Sequence, residues 1–331
     1  MGYWLSWSAW TQMFPPKPRF TGGSLPVLHD KVYIVTGANT GVGKELARML
    51  YAKHARVYIA ARSEAKANKA IEEIRASEPW SKGALVFLHL DLADLSGTKA
   101  SVDRFLSQET KLHVLFNNAG ILAGPQGPMR TAQGHEAHLG VNNLGTFLFT
   151  KLLTPALAAT AKVEPPGTVR VVWVSSSATE IFGLSSVAMP MDELESTFID
   201  RPASEKYGFS KVGNWLHAVE YAKRHKADGV VSVAVNPGNL KSELFRDEGL
   251  AMTIMIGLVG YPPVNGACTQ LYAGLSGDIT AEKTASWVVP FGRILPIRKD
   301  LIDATKTVKE GGNGTAQRFW EWSEGLVRPY W

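Results

Sequence analysis

Tyr207 and Lys211 stand four positions apart in SEKYGFSKVGNWLHAVEYAKRHK, the helix-patterned stretch at 204–226. Residues at i and i+4 share one helical face. An ammonium beside a phenol does little for a core, but it favours the ionised phenol and so suits a group that passes a proton. A second constellation, TGANTGVG at 36–43, places Gly37, Gly41 and Gly43 between a β-rich run and a helical one. Such glycines let the backbone turn tightly and approach a pyrophosphate, whose charge meets free N–H groups at the helix N-terminus. The spacing is T-G-x-x-x-G-x-G rather than G-x-G-x-x-G, so the context of strand, turn and helix carries the signal.

The elements that must position these residues alternate along the chain. KVYIVTG, RVYIAAR, ALVFLHLDL, LHVLFNNAG, TVRVVWVSSS, GVVSVAVNPG and ASWVVPF read as strands. Between them GVGKELARMLYAKHA, SEAKANKAIEEIRAS, LSGTKASVDRFLSQE, the long GHEAHLGVNNLGTFLFTKLLTPALAAT and the YGFSK stretch read as helices. Nearly continuous apolar strands mean a parallel sheet covered on both faces. The expectation is an α/β fold, a doubly wound parallel sheet of Rossmann type forming a single domain over 28–298. A Trp-rich arm, 1–27, precedes it and an aromatic tail, 299–331, comes after.

Ligands of such sheets bind outside the carboxyl ends of the strands. The second strand ends in Arg62 and Ser63 with no acid there, and a guanidinium suits a ribose 2′-phosphate that a carboxylate would repel. The expected cofactor is therefore NADP(H), preferred over NAD(H). Asp91, after the third strand, either accepts from an adenine amino group or caps the next helix. NNAG at 117–120 is small enough for a flat ring to press against its backbone.

The 331 residues, 45% hydrophobic with a net charge of +5, describe an ordinary globular chain with scattered basic residues. That disfavours nucleic acid as the main partner. Cys268 is the only cysteine, which excludes an intrachain disulfide and thiolate clusters and fits a reducing, cytoplasmic setting. No ligand-spaced cluster suggests a metal. Three tryptophans crowd the first ten residues, an arm expected to pack on the domain or a second subunit, with peripheral membrane contact as the alternative.

With these stretches in place, the chain resembles the short-chain dehydrogenases/reductases. TGANTGVG, NNAG, VNNLG, VSSSA, YGFSK and NPG occur in that family's order, and AARSEAKA and NPGNLKSEL resemble its retinol-dehydrogenase-like and fungal ketone-reductase members. The resemblance implies Tyr207 as general acid/base, its pKa lowered by Lys211, which also holds the nicotinamide ribose. It implies Ser176 as the group that holds the substrate oxygen, flanked by Ser175 and Ser177, and Asn142, beside Asn143, as the seat of a relay water. The implied cofactor contacts are Gly37, Asn39, Thr40, Gly41, Val42, Gly43, Arg62, Asp91, Leu92, Asn118, Ala119, Gly120, Tyr207, Lys211, Pro237, Gly238, Leu240 and Ser242.

Two segments, 178–206 and 240–264, are longer or more apolar than a compact member needs and are expected on the substrate side. A lid over 240–264 would imply a hydrophobic substrate; the other reading is core. The expected function is reduction of a ketone or aldehyde by hydride transfer, reversible to alcohol oxidation. The alternatives are a biosynthetic tailoring enzyme with another reaction, such as epimerisation, and a non-catalytic NADP(H)-binding regulator.

Overall fold

Every apolar run becomes a short strand whose alternate residues serve different layers. In the computed structural model, which describes residues 7–123, 129–182, 187–241 and 260–331, one sheet organises the chain. Its strands are β1 (Val32–Thr36), β2 (Arg56–Ala61), β3 (Ala84–His89), β4 (Val114–Asn117), β5 (Arg170–Val174), β6 (Val231–Val235), β7 (Trp287–Val289) and β8 (Arg293–Ile294). Their spatial order is β3-β2-β1-β4-β5-β6-β7-β8, with all neighbours parallel except the β7–β8 pair. The doubly wound sheet is as expected; the antiparallel edge is an addition, too short to leave a periodic signal.

The helices are α1 (Trp7–Met13), α2 (Gly41–Tyr51), α3 (Glu64–Ser77), α4 (Thr98–Leu106), α5 (Thr146–Ala161), α6 (Ala178–Phe182), α7 (Ala203–Arg224), α8 (Pro263–Leu275), α9 (Lys299–Asp303) and α10 (Thr315–Val327). Tyr33 and Val35 of β1 pack with α2, α3 and α8, whereas Val32 and Ile34 pack with α4, α5, α7 and α10. This period of two is what a strand buried on both faces must show.

The long helix expected from Gly134 starts later. Glu136 instead pairs with Arg130 as an isolated antiparallel bridge, and its carboxylate accepts from Leu139 N at 3.0 Å. A wide π-type turn, Leu139–Gly145, then leads into α5. Such turns recur at functional sites because they break the regular hydrogen-bond ladder.

The described parts of the arm and of the tail pack onto the sheet and its helices. Gln12 of α1 is buried, while Trp7, Trp10 and Phe14 face outward. The tail folds as α9 and α10, and Phe319 and Trp320 are buried against α5 and α7. Gly213 of α7 admits them: a Cβ there would lie 2.8 Å from Phe319 Cζ.

At the opposite end of the sheet from the motif stretches, Glu164 gathers Lys31, Lys111 and His113. Burial works against its charge, but hydrogen bonds from these three hold the carboxyl down at about 2. A folded pKa below the unfolded 4.5 gives stability that is complete above that value and lost as pH falls toward about 2. Glu164→Gln is expected to cost about 1–2 kcal/mol at neutral pH, discounted for the partly exposed lysines. Urea midpoints of variant and wild type should converge near the acid limit; a gap that stays constant with pH would contradict the account.

Candidate active site

The chain sorts its three serines as it leaves β5. Ser175 is buried, with Oγ donating to Lys211 O at 2.7 Å and meeting Thr179 Oγ1 at 2.5 Å. It seats α7. Ser176 is half-exposed, accepts from Ala178 N at 3.2 Å and hydrogen-bonds the Tyr207 phenol. Ser177 is likewise half-exposed, and its carbonyl accepts from Glu180 N at 3.0 Å. Ser176 is the serine whose hydroxyl engages Tyr207.

Lys211 Nζ lies 5.6 Å from the centroid of the Tyr207 ring and donates to Val174 O at 2.9 Å. Below it passes the backbone of Gly120. A Cβ on that glycine would sit 3.0 Å from Lys211 Nζ and 3.2 Å from Asn142 Oδ1, tight enough to push both groups outward by a few tenths of an ångström. Asn142 is fully buried in the wide turn, with Oδ1 accepting from Ile121 N at 2.8 Å and Nδ2 donating to Ile121 O at 3.0 Å and to Ser210 Oγ at 2.8 Å. Asn143 instead donates to Ser210 O and Asn214 Oδ1, away from the phenol.

The expected tuning of Tyr207 is not what the protein alone displays. Burial pushes the phenol up to about 12, and the hydrogen bond from Ser176 offsets this only in part. Burial also pushes Lys211 down to about 8. The physical reason is shared desolvation: each group has lost water, and the ammonium stands over the ring face while bound to a carbonyl. Tyr207 is therefore firmly protonated at neutral pH, and Lys211 is a cation close to releasing its proton.

The glycine-rich turn sits where strand order reverses, between β1 and β4. Gly37 and Gly41 have φ of 65° and 54°, a region favouring glycine. Gly43 is required by contact, since a Cβ would lie 2.6 Å from Asn118 Nδ2 and 2.7 Å from Gly37 O. Asn118 Nδ2 donates to Thr36 O at 2.9 Å, and Ala119 N to Thr36 Oγ1 at 2.9 Å, which locks NNAG to the turn. Thr40 is the extended residue ahead of α2 and caps it with no side-chain hydrogen bond, leaving Val42 and its neighbours to present the first N–H groups of that helix. This cradle fits a pyrophosphate.

Arg62 is exposed and forms no ion pair among the described residues, whereas Lys44 is held by Glu73 and Arg48 by Glu45 and Glu78. A guanidinium uncommitted to an acid at the end of β2 suits a 2′-phosphate. Asp91 Oδ1 accepts from Ala93 N at 2.9 Å, an Asx turn, while Asp94 takes the cap of the next short helix. Leu92 is buried beneath Gly145. Gly238, φ 98°, turns the chain after Pro237 against Phe291 and Pro290, and Leu240 is buried against Gly266. Asn39 lies in the turn itself. Ser242 and most of the expected lid, 242–259, lie outside the described residues, as does 183–186 of the other substrate-side segment.

Sequence reading missed several partners. His138 approaches the Tyr207 ring edge-on at 6.4 Å, its Nδ1 hydrogen-bonded to Glu136 at 2.7 Å and its Nε2 accepting from Ala123 N at 3.0 Å. Its spacing of four from Asn142 was a usable signal. Gln270 of α8 donates to Asn118 Oδ1 at 2.7 Å, and no local spacing could have announced it.

A phenol, an ammonium, a serine hydroxyl and a buried amide beside the glycine-rich turn of a doubly wound sheet are the arrangement of an oxidoreductase. The short chain dehydrogenase model matches residues 31–188. A short-chain dehydrogenase/reductase of Phomopsis amygdali is 55% identical, covering 98% of this chain and 97% of its own, and human retinol dehydrogenase 12 is 35% identical over 100% and 98%. This chain belongs to the short-chain dehydrogenase/reductase family. Solved structures sharing the fold include a Pseudomonas aeruginosa RhlG/NADP complex (TM-score 0.59, 22% identical, covering 82% of this chain and 96% of that one). A Brucella melitensis 3-ketoacyl-(acyl-carrier-protein) reductase complexed with NADH is similar to the same degree (TM-score 0.59, 22% identical, 78% and 95%).

The serines separate by experiment. Ser176→Ala is expected to keep the wild-type melting temperature and lower turnover about 100-fold, as loss of one oxyanion donor does. Ser175→Ala is expected to cost about 1–2 kcal/mol of stability by unseating α7. The reverse pattern would reassign the two.

Proposed function

We propose that the chain reduces a ketone or aldehyde on a hydrophobic substrate with NADPH, reversibly oxidising the alcohol. What carries this reading is the geometry of the Tyr207 phenol, with the Lys211 ammonium 5.6 Å from its ring centroid and Ser176 beside it, and burial keeps the phenol up at about 12. Such a phenol is protonated at neutral pH and is set to give its proton to a carbonyl oxygen. Ser176 orients that oxygen and donates to the charge developing on it. Lys211, titrating at about 8, keeps a positive charge beside the phenol as the proton leaves. Asn142 braces the 121 backbone under Lys211 and links it to the turn before α5.

When bound, the reduced dinucleotide supplies the hydride. Gly37, Gly41, Gly43 and the start of α2 would hold its pyrophosphate, and Arg62 its 2′-phosphate. Asp91 and Leu92 would border the adenine, and Asn118–Gly120 and Pro237–Gly238 the nicotinamide. The apolar, methionine-bearing sequence of 240–264 supports a hydrophobic substrate.

Fluorescence titration is expected to give NADPH at least about tenfold tighter binding than NADH, with Arg62→Ala erasing most of that difference. Equal affinities in the wild type would overturn the cofactor choice. Tyr207→Phe is expected to bind NADPH normally yet turn over no carbonyl in a panel of hydrophobic ketones and aldehydes; retained turnover would overturn the role of the phenol.

A further inference from the structure

Among the described residues of the N-terminal arm, Gln12 reaches toward the site through Asn236 and Glu180. Gln12 is 3% exposed, although Trp7 and Trp10 on the same short helix are 80% and 57% exposed. Its Oε1 accepts from Asn236 Nδ2 at 2.9 Å, and its Nε2 donates to Glu180 Oε1 at 2.9 Å and to Ser8 Oγ at 3.1 Å. Asn236 is the residue before Pro237–Gly238, and its Oδ1 accepts from Gly238 N at 3.0 Å. Glu180, 1% exposed, lies in α6 just after Ser176, and it also accepts from Trp287 Nε1 at 2.9 Å. Two residues on, Phe182 packs against Gly208, the neighbour of Tyr207, where a Cβ would come within 2.4 Å of the ring.

These bonds run in one sense. Gly238 N–H donates to Asn236, Asn236 to Gln12, and Gln12 to the Glu180 carboxylate. Both faces of the Gln12 amide are used, so a residue that only donates or only accepts cannot replace it. Chains of this kind strengthen each bond and leave a large penalty when a member is removed. Thr11 O is pinned by Arg293 Nη2 at 2.7 Å, which holds α1 on the sheet independently of Gln12.

We propose that Gln12 is a positioning residue: it fixes the Asn236–Gly238 turn relative to α6 and so sets how tightly the nicotinamide end of the cofactor is held. This rests on the proposed NADP(H) site. Among the described residues, the N-terminal arm thus acts on the proposed cofactor site through the bond between Gln12 and Asn236.

The test measures NADPH dissociation constants and reductive kcat and KM for wild type, Gln12→Glu, Glu180→Gln and the double variant Gln12→Glu/Glu180→Gln. Gln12→Glu sets two carboxylates face to face, and it is expected to weaken NADPH binding about tenfold, as one broken buried hydrogen bond would. The double variant lets the residue-180 amide donate to the residue-12 carboxylate but turns a donor toward Trp287 Nε1, so its affinity is expected to recover in part, to within about fivefold of wild type. KM for NADPH should track the dissociation constants, with melting temperature and circular dichroism reporting the fold. Wild-type affinity in Gln12→Glu, or a double variant no tighter than the weaker single variant, would overturn the proposal. If the wild type binds neither NADPH nor NADH, the underlying cofactor reading fails and takes this one with it.

Discussion

Burying the ammonium of Lys211, 4% exposed, is the constraint around which the rest of the site is arranged. Water is replaced by Val174 O and by the Tyr207 ring. The exchange is incomplete, and burial draws the lysine down to about 8. A core selected for stability alone would hold an apolar side chain here. Ser175 clamps the lysine's own carbonyl, and Gly120 spares Nζ the tight contact a Cβ would make. Each of these small features makes sense only if the charge belongs in that place.

The sheet supplies the rigidity. Seven parallel strands end on one side, so the turns after β1, β4, β5 and β6 converge there. The reversal between β1 and β4 parts the outgoing chains, and Asn118 bridges back to Thr36 across the gap. On the far side of the sheet, Glu164 with Lys31, Lys111 and the imidazole of His113 closes the strand starts. Stability and chemistry are thereby placed at opposite ends of the same strands.

Much of this was legible in the amino-acid order, for a physical reason. Gly37, Gly43, Tyr207 and Lys211 act within contiguous stretches at strand ends or along one helix face, and their spacing is their geometry. Ser176 was readable only as one of three serines and Asn142 as one of two asparagines, because their neighbours differ in direction rather than type. The pKa of Tyr207 was not legible, since adjacency in sequence says nothing of how much water two groups lose together. Gln12 was equally hidden: its partners Glu180 and Asn236 lie 168 and 224 residues away. A Trp-rich arm masked one buried amide among its aromatic neighbours.

The pairing of Tyr207 with a lysine near its own titration point is tested most directly by the pH dependence of carbonyl reduction. With Lys211 at about 8, kcat/KM should be level through neutral pH and then fall about tenfold per unit above that value. A profile that stays level to about pH 10, the ordinary range of an exposed lysine, would contradict the account.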